Sequence, residues 1–170
     1  GGREAVGGRL GLTCLARAPR EGVGAPRSTA SQAQFIRLVQ AAGWPEGGEQ
    51  QAITIMYAGG DWIDADQQAR FDGAEDDFYA GLTPAYRAPN RAMASMTELR
   101  AVKGMTAEIY QALQPWVTVW PQAGGHLNIH TAPAMVLRSI GPLDDLDPLS
   151  AEDGFALGRE PCENGFRGLQ

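Results

Sequence analysis

The sequence predicts a mostly α fold of short helices arranged in helix–turn–helix units, and three observations predict it. Apolar residues recur at spacings of three and four in several separate segments. Ser or Thr caps open many of these segments, and glycine or proline closes them. The 22 glycines and 11 prolines in 170 residues supply enough turns to keep every element short.

Residues 1 to about 30, "GGREAVGGRLGLTCLARAPREGVGAPRSTA", show no sustained apolar period. This segment reads as a flexible arm or a remnant of a strand-bearing scaffold. The helical domain is expected over residues 31–170. Phe35, Ile36, Leu38, Val39 and Ala42 lie at helical spacing, and Gly43 with Pro45 ends that helix. A second helix starts after Gly47-Gly48 and carries Ala52, Ile55, Met56, Gly59, Trp62 and Ile63 on one face. "GAEDDFYAGL" adds a helical turn or two, followed by the proline-punctuated loop "TPAYRAPNRAM". In "SMTELRAVKG", Ser95 and Glu98 form a capping box and Gly104 suits the left-handed closing position. "TAEIYQALQP" restarts with Thr106 as cap, and "VTVWP" reads as extended. "HTAPAMVLRSIG" takes Thr131 as cap, Pro133 in the first turn and Gly141 as terminator. Ser150, with Asp153 three residues on, caps the last helix. "ELRAVKG" and "VLRSIG" echo each other, which indicates two small helix–turn–helix units.

Charge narrows the function classes. A net charge of −6 argues against a nucleic-acid surface, where clustered Lys and Arg must meet phosphate. No apolar run approaches the ~20 residues that span a bilayer. Cys14 and Cys162 form no CxxC pair, so a structural zinc site is not expected; a single disulfide and two free thiols both remain open.

The stretch "DWIDADQQARFDGAEDDFY" sets seven carboxylates against one cation, Arg70. Such crowding repels itself unless water, a metal or a basic partner relieves it. On the calcium-loop template, Asp64, Asp66, Gln68, the Arg70 carbonyl, Asp72 and Glu75 take positions 1, 3, 5, 7, 9 and 12. Ala69 stands where the sharp turn wants glycine, so a looser calcium site fits better than an EF-hand. Donors that are all oxygen select a hard cation. A solvated acidic face is the competing reading. Acid–base catalysis ranks lower, because no nucleophile or His accompanies the carboxylates, and the same lack disfavours a metal-assisted hydrolase.

Other constellations carry less. "VKGMTAEIY" has the start of a helix-hairpin-helix turn, the alternative nucleic-acid-binding reading, but Thr106 replaces its second glycine. His126 and His130 lie in an extended stretch with no carboxylate within it, so zinc is remote there. Tyr79, Trp116 and Trp120 read as core. Tyr86 and Arg87 sit in the proline-held loop, where an exposed Tyr–Arg pair suits a partner-binding surface.

Taken in order, "DWIDAD", "GAEDDFY", "YRAPNRAMASMTELRAVKGMTAEIYQALQPWVTVWP" and "LNIHTAPAMVLRSI" resemble the K-class minor pseudopilin of the type II secretion system, from about Phe35 to Phe166. The resemblance implies a helical domain inserted in a pilin-like α+β scaffold. It implies a non-enzymatic structural subunit at the tip of a pseudopilus, partnered by the I and J minor pseudopilins and engaged in protein export. It also implies a periplasmic location with an inner-membrane anchor, an N-terminal helix absent from this chain. Calcium binding in the helical domain is a further implication. The matching positions fall in "DWIDAD" and "GAEDD", and with the loop template the candidate Ca²⁺ ligands are Asp64, Asp66, Asp72, Glu75, Asp76 and Asp77.

Overall fold

The apolar faces of two helices meet in the core of the molecule. Helix α1 (Ala30–Ala41) starts from Thr29, whose hydroxyl accepts from the Gln32 amide while the Gln32 side chain accepts from the Thr29 amide. It buries Phe35, Ile36, Leu38 and Val39. Helix α2 (Gly48–Ile63) packs along it and buries Ala52, Ile55, Met56, Gly59, Trp62 and Ile63, the face expected from the spacing. Each large side chain enclosed there contributes about 1.5–3 kcal/mol. The computed structural model describes residues 8–16, 29–42, 48–119, 131–142 and 145–157.

Around this pair the remaining elements are short. They are α3 (Asp76–Ala80), a 3₁₀ turn at Met96–Ala101, α4 (Ala107–Leu113), α5 (Ala134–Leu137) and α6 (Ala151–Leu157). The Ser95–Glu98 capping box forms, although the element it opens is 3₁₀ and not α. Gly104 has φ +86°. A Cβ there would stand 3.1 Å from Thr54 Cγ2 and 3.3 Å from Ile55 Cγ1, so the turn faces α2 at close range. Thr106 caps α4 through the Ile109 amide, and Ser150 caps α6 through Asp153.

Two expectations change. Residues 8–16, part of the segment expected as a flexible arm, are packed into the core. Leu10–Gly11 (β1) pairs in parallel with Val117–Thr118 (β2), and a 3₁₀ turn at Leu12–Ala16 follows directly. Leu10, Leu12 and Leu15 are all buried. Their spacing of two and then three reflects a strand running into 3₁₀, which neither period detects alone. In addition, α5 opens at Pro133 and not at Thr131, and it ends before Gly141. Gly141 instead lies against the buried Arg37 guanidinium, which donates to the carbonyls of Ser139, Pro142 and Asp145. Trp120, His126, His130 and Cys162 lie outside the described residues.

Candidate metal centre

The acidic loop runs from Asp64 to Glu75, between the last turn of α2 and the first of α3. The C-terminal end of a helix carries partial negative charge, so α2 already directs a cation-favouring field at this loop. Asp61 lies in that last turn and is fully buried. Its Oδ2 accepts from the amides of Arg70 and Ala74, both at 3.0 Å, which folds the loop back over the helix end. The return is possible because residue 73 is glycine. A Cβ at Gly73 would fall 1.8 Å from Asp61 Oδ2.

Asp64 Oδ2 accepts from Arg70 Nη2 at 3.1 Å. Glu75 occupies the N-cap position of α3 but makes no capping bond with its side chain. The three residues Asp61, Asp64 and Glu75 each present a carboxylate oxygen, and these atoms all lie within 4.8 Å of one another. Asp61 Oδ1, Asp64 Oδ1 and both Glu75 oxygens are buried without a hydrogen-bond partner. Asp61 Oδ1 has only an ion-pair approach, 3.4 Å from Arg70 Nε.

Four unpartnered carboxylate oxygens in one place are costly, because a buried charge needs compensation. Burial pushes Glu75 up to about 7, helped by the charges of Asp61, Asp64, Asp66 and Asp76. Burial likewise pushes Asp61 up to about 6, against the lowering effect of Arg70. Asp64 moves upward too, through burial and the neighbouring Asp66. A hard cation would relieve all three. The donor set is of the type a hard cation takes, all oxygen and already gathered, and its four unpartnered oxygens would supply part of the six to eight that Ca²⁺ coordinates.

The other candidate ligands are placed differently. Asp66 is exposed and its Oδ1 accepts from the Gln68 amide at 2.8 Å, close enough for its charge to act on Asp64 and Glu75. Asp72 is directed to α2 and the hairpin, accepting from Gln50 Nε2 at 3.1 Å and from Thr54 Oγ1, with Lys103 Nζ at 3.8 Å. Asp76 Oδ1 accepts from the Ala88 amide at 3.0 Å, and Asp77 is exposed. The Arg70 carbonyl accepts from the Gly73 amide. Phe71, at the template's eighth position, is 95% exposed. Asp61 is the residue that the loop template misses, because it stands before position 1. Its signal was a carboxylate following Ala58 by three on a helix whose neighbours are apolar.

Tyr86 and Arg87 part company. The Tyr86 ring is half-buried, stacked on Tyr79 at 5.2 Å and edge-on to Trp62 at 6.2 Å, and its hydroxyl donates to the Ala101 carbonyl. The expectation that both are exposed holds for Arg87 alone. The hairpin turn at Gly104 is also engaged internally, since its carbonyl accepts from Gln51 Nε2. The helix-hairpin-helix alternative gains no support from this geometry.

Comparison with known proteins agrees with this architecture. The family described as "Type II secretion system (T2SS), protein K" matches residues 8–122. The chain belongs to this family. It is 42% identical over 81 residues to type II secretion system protein K of Pectobacterium carotovorum subsp. carotovorum, covering 48% of this chain and 25% of that protein. It is 39% identical over 129 residues to the Pseudomonas aeruginosa protein K, covering 75% of this chain and 36% of that protein. Its fold is similar to a chain in the crystal structure of the GspK–GspI–GspJ complex from enterotoxigenic Escherichia coli. The TM-score is 0.65 and the identity 26%, over 77% of this chain and 45% of that one. The chain thus spans about a quarter to a third of the length of these protein K relatives. No helix among the described residues is long and apolar enough to cross a membrane.

Proposed function

We propose that this chain is the helical domain of a K-class minor pseudopilin, a non-enzymatic structural subunit at the tip of the type II secretion pseudopilus. In this reading the whole protein assembles with the I and J minor pseudopilins and serves protein export. It sits in the periplasm, anchored in the inner membrane. The observation that carries the reading is the family match over residues 8–122 on a fold similar to a chain of a K–I–J complex. The test is co-expression of the full-length protein with the I and J pseudopilins. A stable ternary complex, and loss of export when the gene is deleted, are expected; separate elution of all three would sink the proposal.

Within that role the acidic loop binds Ca²⁺. Asp61, Asp64 and Glu75 would hold the ion, which would supply the positive charge their buried oxygens lack. Asp66 and Asp76 strengthen the field from outside. The cation is a structural fastener between the end of α2 and the start of α3.

A further inference from the structure

Arg70 is the one cation of the acidic stretch, and its position is built. The guanidinium lies 3.4 Å from Asp61 Oδ1 through Nε and 3.1 Å from Asp64 Oδ2 through Nη2. Nη1 and Nη2 also donate to the carbonyls of Leu15 and Ala16, both at 2.9 Å. Gly60 makes room for it: a Cβ at that position would stand 2.2 Å from Nη1 and 2.6 Å from the Leu15 carbonyl oxygen. The planar fork therefore cannot swing away without breaking its bonds to the 3₁₀ turn.

Meanwhile the carboxylate oxygens without hydrogen bonds stay with Asp61, Asp64 and Glu75. Counting only the three carboxylates that carry the buried unpartnered oxygens, one guanidinium leaves two negative charges, which one divalent ion neutralises, while Asp66 and Asp76 add negative field from outside. We propose that Arg70 is a resident counter-cation that sets the charge preference of this site, matching it to a divalent ion and disfavouring a trivalent one. The inference rests on the metal reading above. It concerns selectivity, which that reading leaves open.

The chemistry is coulombic. Each added charge on the bound ion meets the fixed guanidinium once more, so a trivalent ion is repelled by it more than a divalent ion of similar radius. Within roughly 6 Å, and at the effective dielectric of a protein site, removing that charge should shift trivalent over divalent preference about tenfold or more. Tb³⁺ and Ca²⁺ suit the comparison as similar hard, oxygen-seeking ions, and the buried Trp62 beside Asp61 offers a sensitiser for terbium luminescence.

The experiment measures Tb³⁺ affinity by luminescence and Ca²⁺ affinity by competition, for wild type, Arg70→Gln, Arg70→Lys and Gly60→Ala. Taking the ratio within each variant cancels a general loss of folding. Arg70→Gln is expected to raise the Tb³⁺-to-Ca²⁺ ratio about tenfold or more, and Arg70→Lys to stay near wild type. Gly60→Ala displaces the guanidinium without changing formal charge and should raise the ratio by less. Ratios unchanged in both Arg70→Gln and Gly60→Ala overturn this inference while leaving the metal reading intact. Failure of the wild type to bind either ion overturns both.

Discussion

At the scale of single residues, the acidic loop makes a sign prediction. Glu75 moves from an ordinary 4.5 up to about 7 in the folded chain, and Asp61 from 3.8 up to about 6. The folded state therefore holds protons more tightly than the unfolded one. Stability from these groups is fully present below about pH 4 and is lost as pH rises through about 7. Without metal, thermal scans should give a Tm that falls between pH 5 and pH 8, beyond the trend of a Glu75→Gln control. With Ca²⁺ that fall should disappear, because the ion takes the place of the protons and binds more tightly as they leave. A metal-free Tm that rises over this interval would count against the buried trio. Gly73→Ala offers a second test at this scale. Its Cβ would coincide with Asp61 Oδ2, so loss of the calcium response is expected, whereas an unaltered response would mean the loop closes some other way.

At the scale of elements, two turns support the domain. Gly104→Val places a branched side chain at φ +86° and against Thr54 and Ile55 of α2. The backbone conformation alone costs about 1–2 kcal/mol, and denaturant unfolding should show at least that loss. Arg37→Met strips the partner from the carbonyls of Ser139, Pro142 and Asp145, of which only the Ser139 bond is buried, and a stranded buried acceptor costs ~1–3 kcal/mol. A loss of about 1–3 kcal/mol is expected, and a variant as stable as wild type would show that the Ser139 carbonyl finds another partner. What the sequence made legible follows from the same physics. The faces of α1 and α2, the Ser95 and Thr106 caps and the left-handed Gly104 are local signals, set by residues within one or two turns. Leu10 escaped notice because its burial depends on β2, more than a hundred residues later, and Leu12 and Leu15 because theirs depends on the 3₁₀ turn packing against α2 and α1. The helical position of Asp61 signalled its burial, but its meeting with Asp64 and Glu75 depends on a chain reversal at Gly73 that no periodicity reports. Asp72 reads as a loop ligand by spacing, yet Thr54, Gln50 and Lys103 from other elements draw it elsewhere.

At the scale of the whole molecule, β1 and β2 bring the beginning of the described chain onto the end of the hairpin region, while Arg70 ties the adjoining 3₁₀ turn to the acidic loop. The proposed metal site thus joins the end of α2, the start of α3 and, through Arg70, the 3₁₀ turn, and its occupancy should govern global stability and not only the loop. The exposed Arg87 remains a candidate contact with the proposed I and J partners, and Tyr86 positions its loop from within. In a pull-down with those partners, Arg87→Ala should weaken capture without lowering Tm, whereas Tyr86→Ala should lower Tm. The most direct measurement is a calorimetric Ca²⁺ titration of this chain, paired with thermal unfolding in chelator and in millimolar Ca²⁺. Saturable binding and a raised Tm are predicted, worth about 2.7 kcal/mol when the ion is at a hundred times its Kd, and strongly reduced in Glu75→Gln. No heat of binding and an identical Tm in chelator and Ca²⁺ would contradict a cation-fastened domain.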